Sequence, residues 1–328
     1  MRLSAVFLMI LTAVSFVLLP KLPALHTWEV EAREERIAEE EFAQSQVTMQ
    51  NLKIKEQNEA AGAKGELSIR LPEGVTGDQI AVSNDYVTQT IRVEIPQADR
   101  TYFDSYPVLG NSDYIDGLSY TRQGETGVIE VTTNKVYELQ TEYDTQNFYF
   151  NFLTPHEVYD KVVVIDAGHG GRAVGANKQG INEKDIDLAI VLKLKEIFDN
   201  SDQNIGVYYT RTDDSNPTFD QRVQLANKSD ADLFISIHNN STRSGRMSGT
   251  SGTQVMYDET SEASRQFAQI CLEEVTGRIG SRDKGLVEGD SIYIIRTSKV
   301  PVALIEVGFM TNKDELEKLN SDAYQRET

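Results

Sequence analysis

The sequence predicts an α/β protein: a mostly parallel, twisted sheet with helices on both faces, preceded by a small antiparallel β domain and an N-terminal hydrophobic anchor helix. Three observations carry this expectation. From residue 161 onwards, compact runs rich in β-branched residues alternate with amphipathic helical patterns, as in strands buried on both faces. Residues 66–153 show period-two alternation interrupted by turn residues, the pattern of half-buried strands. Residues 3–19 are apolar and free of charge. A chain of 328 residues has room for two folded units and connecting segments.

The first element is the run Leu3–Leu19 (LSAVFLMILTAVSFVLL), preceded by Arg2 and followed by Pro20 and Lys21. Its length falls at the short end of a membrane span, about 17 to 25 residues. PKLPALHTW offers no small-x-small cleavage site, so residues 1–25 are expected to be an uncleaved signal-anchor, with a cleaved signal peptide as the alternative. Positive charge before the span and the acidic EVEAREERIAEEE after it place the N-terminus inside and the rest of the chain outside. Residues 26–65 are expected to form an acidic helical spacer: Trp28 to Ala61 is rich in Glu, Gln and Ala without Pro or Gly, and GAKG ends it. Val30 and Ile37 stand seven apart, but no heptad is sustained. Self-repulsion would extend this segment and hold the folded units off an anionic membrane.

Residues 66–155 are read as the small β domain, with strands in ELSIRL (66–71), TIRVEI (90–95), GVIEVTT (127–133), VYELQTEY (136–143) and FYFNFL (148–153). PEG at 72–74 and NSD at 111–113 supply turns, and no residue cluster here suggests chemistry. Residues 160–328 are read as the α/β unit. Its expected strands are KVVVID (161–166), GVYYT (206–210), DLFISIH (232–238), TQVMY (253–257), SIYIIR (291–296) and VALIEVGF (302–309). Helices are expected over 185–198, 219–227 and Ser261 to Thr276.

Composition narrows the function. The formal net charge is −19, with 51 acidic against 32 basic residues, which argues against nucleic-acid binding for want of cations to neutralise phosphates. Cys271 is the single cysteine, so an intramolecular disulfide and a Cys-rich zinc cluster are excluded. A metal site must use carboxylates and the four histidines, His26, His156, His169 and His238.

Ligands of an open α/β sheet bind beyond the carboxyl ends of its strands. VVVID runs into AGHGG and places His169 there, DLFISI ends in His238, and VALI runs into Glu306; Glu183, in GINEKD, opens the next helix. Two His and one Glu form a complete donor set for a catalytic zinc, and a further carboxylate serves as general base. Taken singly, each has a plainer reading. A lone His after a strand is more often structural, and a Glu at a helix start is a favourable dipole partner. Glu306 differs, because a carboxylate enclosed by apolar residues needs a partner or a task.

VVVIDAGHGG, the Glu of NEKD, YYTRTDD, the RVQLAN helix, LFISIHNN and ALIEVGFMTNKDE together resemble, in this order, the zinc-dependent N-acetylmuramoyl-L-alanine amidases of the amidase-3 type. The resemblance spans about 161–320. It implies one Zn²⁺ held by His169, Glu183 and His238, with Glu306 as the catalytic glutamate, and no other bound cofactor. It further implies cleavage of the amide joining N-acetylmuramic acid to L-alanine, in peptidoglycan, by an extracytoplasmic enzyme. Arg211 and Arg222 are expected to support the site or touch substrate, Asn239 to orient a ligand or touch substrate, and Asn312 to cap a helix; His26 and His156 have no matching context. The β domain resembles those that precede such catalytic domains, and a protein regulator acting through it is an expectation.

Two departures from the family pattern stand out. The loop after His238, NNSTRSGRMSGTSG, is short and polar where some relatives insert a helix that plugs the site, so restraint must come from elsewhere. The chain also ends at ELEKLNSDAYQRET, where the family continues into a final amphipathic helix. Two rival readings stay open: a zinc peptidase acting on stem peptides, and a non-catalytic wall-binding protein.

Overall fold

The computed structural model describes residues 22–56 and 64–328, with side chains from residue 30 onwards. The run Leu3–Leu19 and residues 57–63 of the expected spacer lie outside the described residues, and so does the His26 side chain. Among the described residues no helix is long and apolar enough to cross a membrane.

The first described element is helix α1 (Leu22–Ser45). After it the chain builds two five-stranded sheets. One has the order β1 (Gln50–Asn51), β7 (Ile115–Gln123), β8 (Thr126–Thr133), β5 (Thr90–Pro96), β4 (Ala81–Asp85). The other runs β2 (Lys55–Glu56), β6 (Leu109–Gly110), β3 (Leu67–Arg70), β10 (Asn147–Leu153), β9 (Glu138–Tyr143). All pairings are antiparallel except β2 with β6. Alternation along β5 turns Ile91, Val93 and Ile95 inward, where they share one core with Leu67, Ile69, Phe148 and Phe150 of the facing sheet. Strands β4 and β7 and the short helix α2 (Arg100–Ser105) were not foreseen. AVSND is a polar edge, and β7 is interrupted by Gly117 and polar residues, so neither shows a clean period of two.

A single helical turn, α3 (Pro155–Val158), leads into the α/β unit. Its six-stranded sheet has the order β14 (Ile205–Tyr209), β11 (Lys161–Ala167), β15 (Leu233–Asn240), β18 (Val302–Phe309), β16 (Thr253–Tyr257), β17 (Asp283–Glu288). The first four strands are mutually parallel, β16 is antiparallel to β18, and β17 is parallel to β16. One face is covered by α4 (Glu183–Asp199), α6 (Glu262–Ile279) and α8 (Lys313–Leu319) through Ile186, Ile190, Leu272 and Leu316. The other is covered by α5 (Phe219–Lys228) and α7 (Tyr293–Thr297) through Val223, Leu225, Ile294 and Ile295. Each such side chain contributes about 1.5–3 kcal/mol of apolar burial, so both layers are held by the sheet itself. The closing helix α9 (Asp322–Glu327) pairs with α4 through Asp322 to Lys193 and Arg326 to Glu196.

Two expectations are corrected and one strand is added. SIYIIR is not a strand: Ile294 and Ile295 are consecutive and both buried, as a helical turn permits and an alternating strand does not. DKGLVE forms the edge strand β17, hidden in the sequence by its half-exposed, charged positions. Nor is 26–65 one spacer. The helix ends at Ser45, residues 50–56 join the two sheets of the β unit, and α1 lies against the α/β unit instead of standing off it, because its carboxylates find donors there.

Candidate metal centre

His169 lies in the turn after β11, His238 and Glu306 lie in the carboxyl-terminal halves of β15 and β18, and Glu183 opens α4. Strand β11 carries the chain to Gly168, where Arg211 Nη2 donates to the Gly168 carbonyl at 2.6 Å and Arg222 Nη2 donates to that of His169 at 2.6 Å. These contacts fix a turn in which His169 itself adopts φ 57°, a left-handed conformation that non-glycine residues hold only when their surroundings impose it. Gly168 cannot be larger, since a Cβ there would stand 2.3 Å from the His238 ring. Arg211 and Arg222 are both buried; Arg211 also donates to the Ala167, Lys184 and Asp213 carbonyls, and Arg222 to Asp166 and to the Ala167 and Pro217 carbonyls.

The hairpin β12 (Asn177–Lys178) and β13 (Ile181–Asn182) turns at Gln179 and Gly180, both with positive φ, and hands the chain to the first residue of α4, Glu183. Its Oε2 accepts the Ala176 N–H at 2.7 Å and its Oε1 the Asn239 N–H at 3.1 Å. The same Oε1 stands 3.0 Å from His169 Nε2 and 3.2 Å from His238 Nδ1. The two imidazoles meet edge to face, with centroids 4.8 Å apart. Gly175, with φ 65°, leaves the room, because a Cβ there would fall 2.6 Å from both Glu183 and His169.

Glu306 faces His238 in register across β15 and β18, so both side chains project from the same side of the sheet. Its Oε2 is enclosed and has no hydrogen-bond partner among the described residues. Burial, reinforced by the nearby charge of Glu183, pushes its carboxyl up to about 8. For Glu183 burial alone would do the same, but the imidazoles of His169 and His238 hold it well below the usual carboxylate range. Burial presses His169 down, and the carboxylates of Glu183 and Glu34 more than reverse this.

The residues present fit a zinc ion. Two imidazole nitrogens converge on one carboxylate oxygen, a nitrogen and oxygen donor set suited to zinc, while an orphaned buried carboxyl stands alongside. Among the described residues this is the one cluster able to hold an ion, and it includes Asp187. Asp187 was not foreseen. Its Oδ1 accepts from Asn239 Nδ2 at 2.7 Å, and burial together with the charge of Glu183 pushes its carboxyl well up. The signal was present, since Asp187 follows Glu183 by one helical turn on α4.

The other sequence-derived candidates occupy different settings. Asn239 touches both Glu183 and Asp187. Asn312 Oδ1 accepts from the N–H groups of Asp314 and Glu315 at the start of α8. His156 is apart, with Nε2 against the Asp230 carbonyl at 2.8 Å. Residues 241–252 after His238 contain no helix. A different element reaches the centre: Glu34 of α1 sets Oε2 at 3.1 Å from His169 Nδ1. Nothing in the sequence distinguished Glu34 from the acidic residues around it.

Comparison with known proteins places this unit. A family model described as N-acetylmuramoyl-L-alanine amidase matches residues 163–328, half of the chain. Protein YqiI of Bacillus subtilis (strain 168) is 38% identical over 172 residues, covering 51% of this chain and 78% of that one. N-acetylmuramoyl-L-alanine amidase CwlM of Bacillus licheniformis is 33% identical over 162 residues, and the chain spans 62% of its length. The crystal structure of an N-acetylmuramoyl-L-alanine amidase from Clostridium difficile 630 matches with 33% identity and a TM-score of 0.48, over 51% of this chain and 89% of that chain.

Proposed function

This chain belongs to the N-acetylmuramoyl-L-alanine amidase family and is a peptidoglycan hydrolase; from that premise we propose that it acts with one zinc ion held by His169, Glu183 and His238 and with Glu306 as general base. The observation that supports this most is the convergence of two imidazoles on the single Glu183 oxygen, with Glu306 in register beside His238. When bound, zinc supplies Lewis acidity that polarises the scissile carbonyl and makes water a nucleophile near neutral pH. Glu306 takes the proton of the attacking water and passes it to the leaving L-alanine amine, as a carboxyl raised by burial is suited to do. Asn239 holds Glu183 through its backbone N–H and is itself held by Asp187, and Arg211 and Arg222 keep the His169 turn in the geometry that its backbone would not choose alone.

The substrate we propose is the amide between N-acetylmuramic acid and L-alanine. In this reading the run Leu3–Leu19 tethers the enzyme to the outer face of the cytoplasmic membrane, and the β unit offers a surface for the envelope or a regulator. Digesting purified peptidoglycan with the zinc-loaded protein and identifying the new ends is the test. Free L-alanine amines are expected, whereas new ends confined to the stem peptide would replace the amidase with a peptidase.

A further inference from the structure

Helix α1 meets the centre with one face. Residues 31, 34, 35, 38 and 41 recur at helical spacing and are turned inward, together with the half-buried Ile37. The apolar contribution to this face is small: Ala38 is the one fully buried hydrophobic residue of the described part of the helix, and its short side chain lets the helix come close. The contacts are made by carboxylates. Glu31 Oε1 accepts the Tyr293 N–H at 2.6 Å, and Glu35 Oε2 accepts the Phe219 N–H at 2.7 Å, at the first residue of α5. Glu41 accepts from the Arg172 N–H and Nε, both at 3.0 Å, and from Asn216 Nδ2 at 3.0 Å. Arg172 also reaches Glu40 at 3.1 Å. A solvated acidic stripe would not find a separate donor for each carboxylate.

Between these anchors Glu34 enters the centre, its side chain 18% exposed, against the one His169 nitrogen that Glu183 does not take. A further carboxylate near Glu183 is unfavourable unless positive charge is present, and His169 with a divalent cation would supply it. The helix also rests on Arg172, Asn216, Phe219 and Tyr293, so it lies over the ground from which a substrate must approach the strand ends.

We infer that α1 is a block built into the chain: Glu34 grips His169 from the nitrogen opposite Glu183, the flanking carboxylates hold the helix over the centre, and cleavage requires α1 to lift. This rests on the reading of the centre as the amidase site. It also supplies the restraint that the short loop after His238 lacks, and from a different part of the chain.

The test uses the full zinc-loaded chain and three measurements: amide hydrogen exchange over residues 31–41, the rate at which a chelator strips zinc, and amine ends released from peptidoglycan. In the double variant Glu31→Lys/Glu35→Lys, exchange should rise, and stripping and turnover should each increase about tenfold as the open population grows. In Glu34→Gln the helix keeps its anchors, so exchange should hold while zinc is stripped faster. Four results would overturn the inference. These are a wild-type α1 already unprotected, a double variant whose exchange does not rise, raised exchange with unchanged stripping, or Glu34→Gln stripped at the wild-type rate. Faster stripping without amine release from any form would leave the block standing and remove the amidase assignment instead.

Discussion

The two folded units treat buried charge in opposite ways. Among the described residues of the β unit the buried polar side chains are Ser68, Gln89 and Thr133, all neutral, around a core of aliphatic and aromatic residues. In the α/β unit Asp166 on β11, Arg211 after β14, Glu183, Lys184 and Asp187 at the start of α4 and Arg222 on α5 are buried. Removing ions from water costs several kcal/mol each unless they are paired. Among the described residues this cost is accepted around the carboxyl ends of the α/β strands and not in the β unit, which marks those ends as the candidate site of chemistry.

Substitutions can break or sharpen this contrast. The largest effect is expected for Glu306→Gln, which should lower turnover of purified peptidoglycan by about 10²–10⁴-fold while zinc content is unchanged. Turnover near the wild-type rate would take Glu306 out of its role. Next, Asp166→Asn leaves Arg222 buried without its anion and should destabilise the α/β unit by about 3–5 kcal/mol in denaturant unfolding. Burial pushes the Asp166 carboxyl up, but Arg222, Ser236 and Thr210 hold it at about 2, below the ordinary 3.8. Its contribution is therefore complete above pH 3.8 and is lost as pH falls towards 2, so wild type and variant should converge in stability on acidification.

In the β unit the comparable loss should come from shape alone. Phe150→Ala, at a fully buried position, should cost about 3–5 kcal/mol with no change in zinc affinity. A fall in zinc affinity would show that the two units are not separable. The smallest effect is expected at Asn312, where alanine removes the cap of α8 and should cost about 1 kcal/mol with turnover intact, as read from the unfolding midpoint.

Much of the centre was legible because its residues end apolar runs: VVVID, LFISI and VALI each mark a buried strand, and His169, His238 and Glu306 stand at or near their ends. Asp187 was legible only in hindsight, by its helical spacing from Glu183. Glu34 was not legible, because its neighbours on α1 are also acidic and its role depends on donors from residues 172, 216, 219 and 293, which only the tertiary structure brings together. The same physics misled the reading of the helix as a spacer. Self-repulsion extends an acidic segment in water, but here each inward carboxylate meets an N–H group, a guanidinium or an imidazole.

The central claim, that the buried charge at the strand ends is a one-metal centre served by Glu306, is tested most directly by titrating the protein, stripped of metal, with zinc. Wild type and Glu306→Gln should each bind one equivalent tightly, and His238→Ala and Glu183→Gln should lose that binding. Stoichiometric zinc on His238→Ala, or none on wild type, would contradict it.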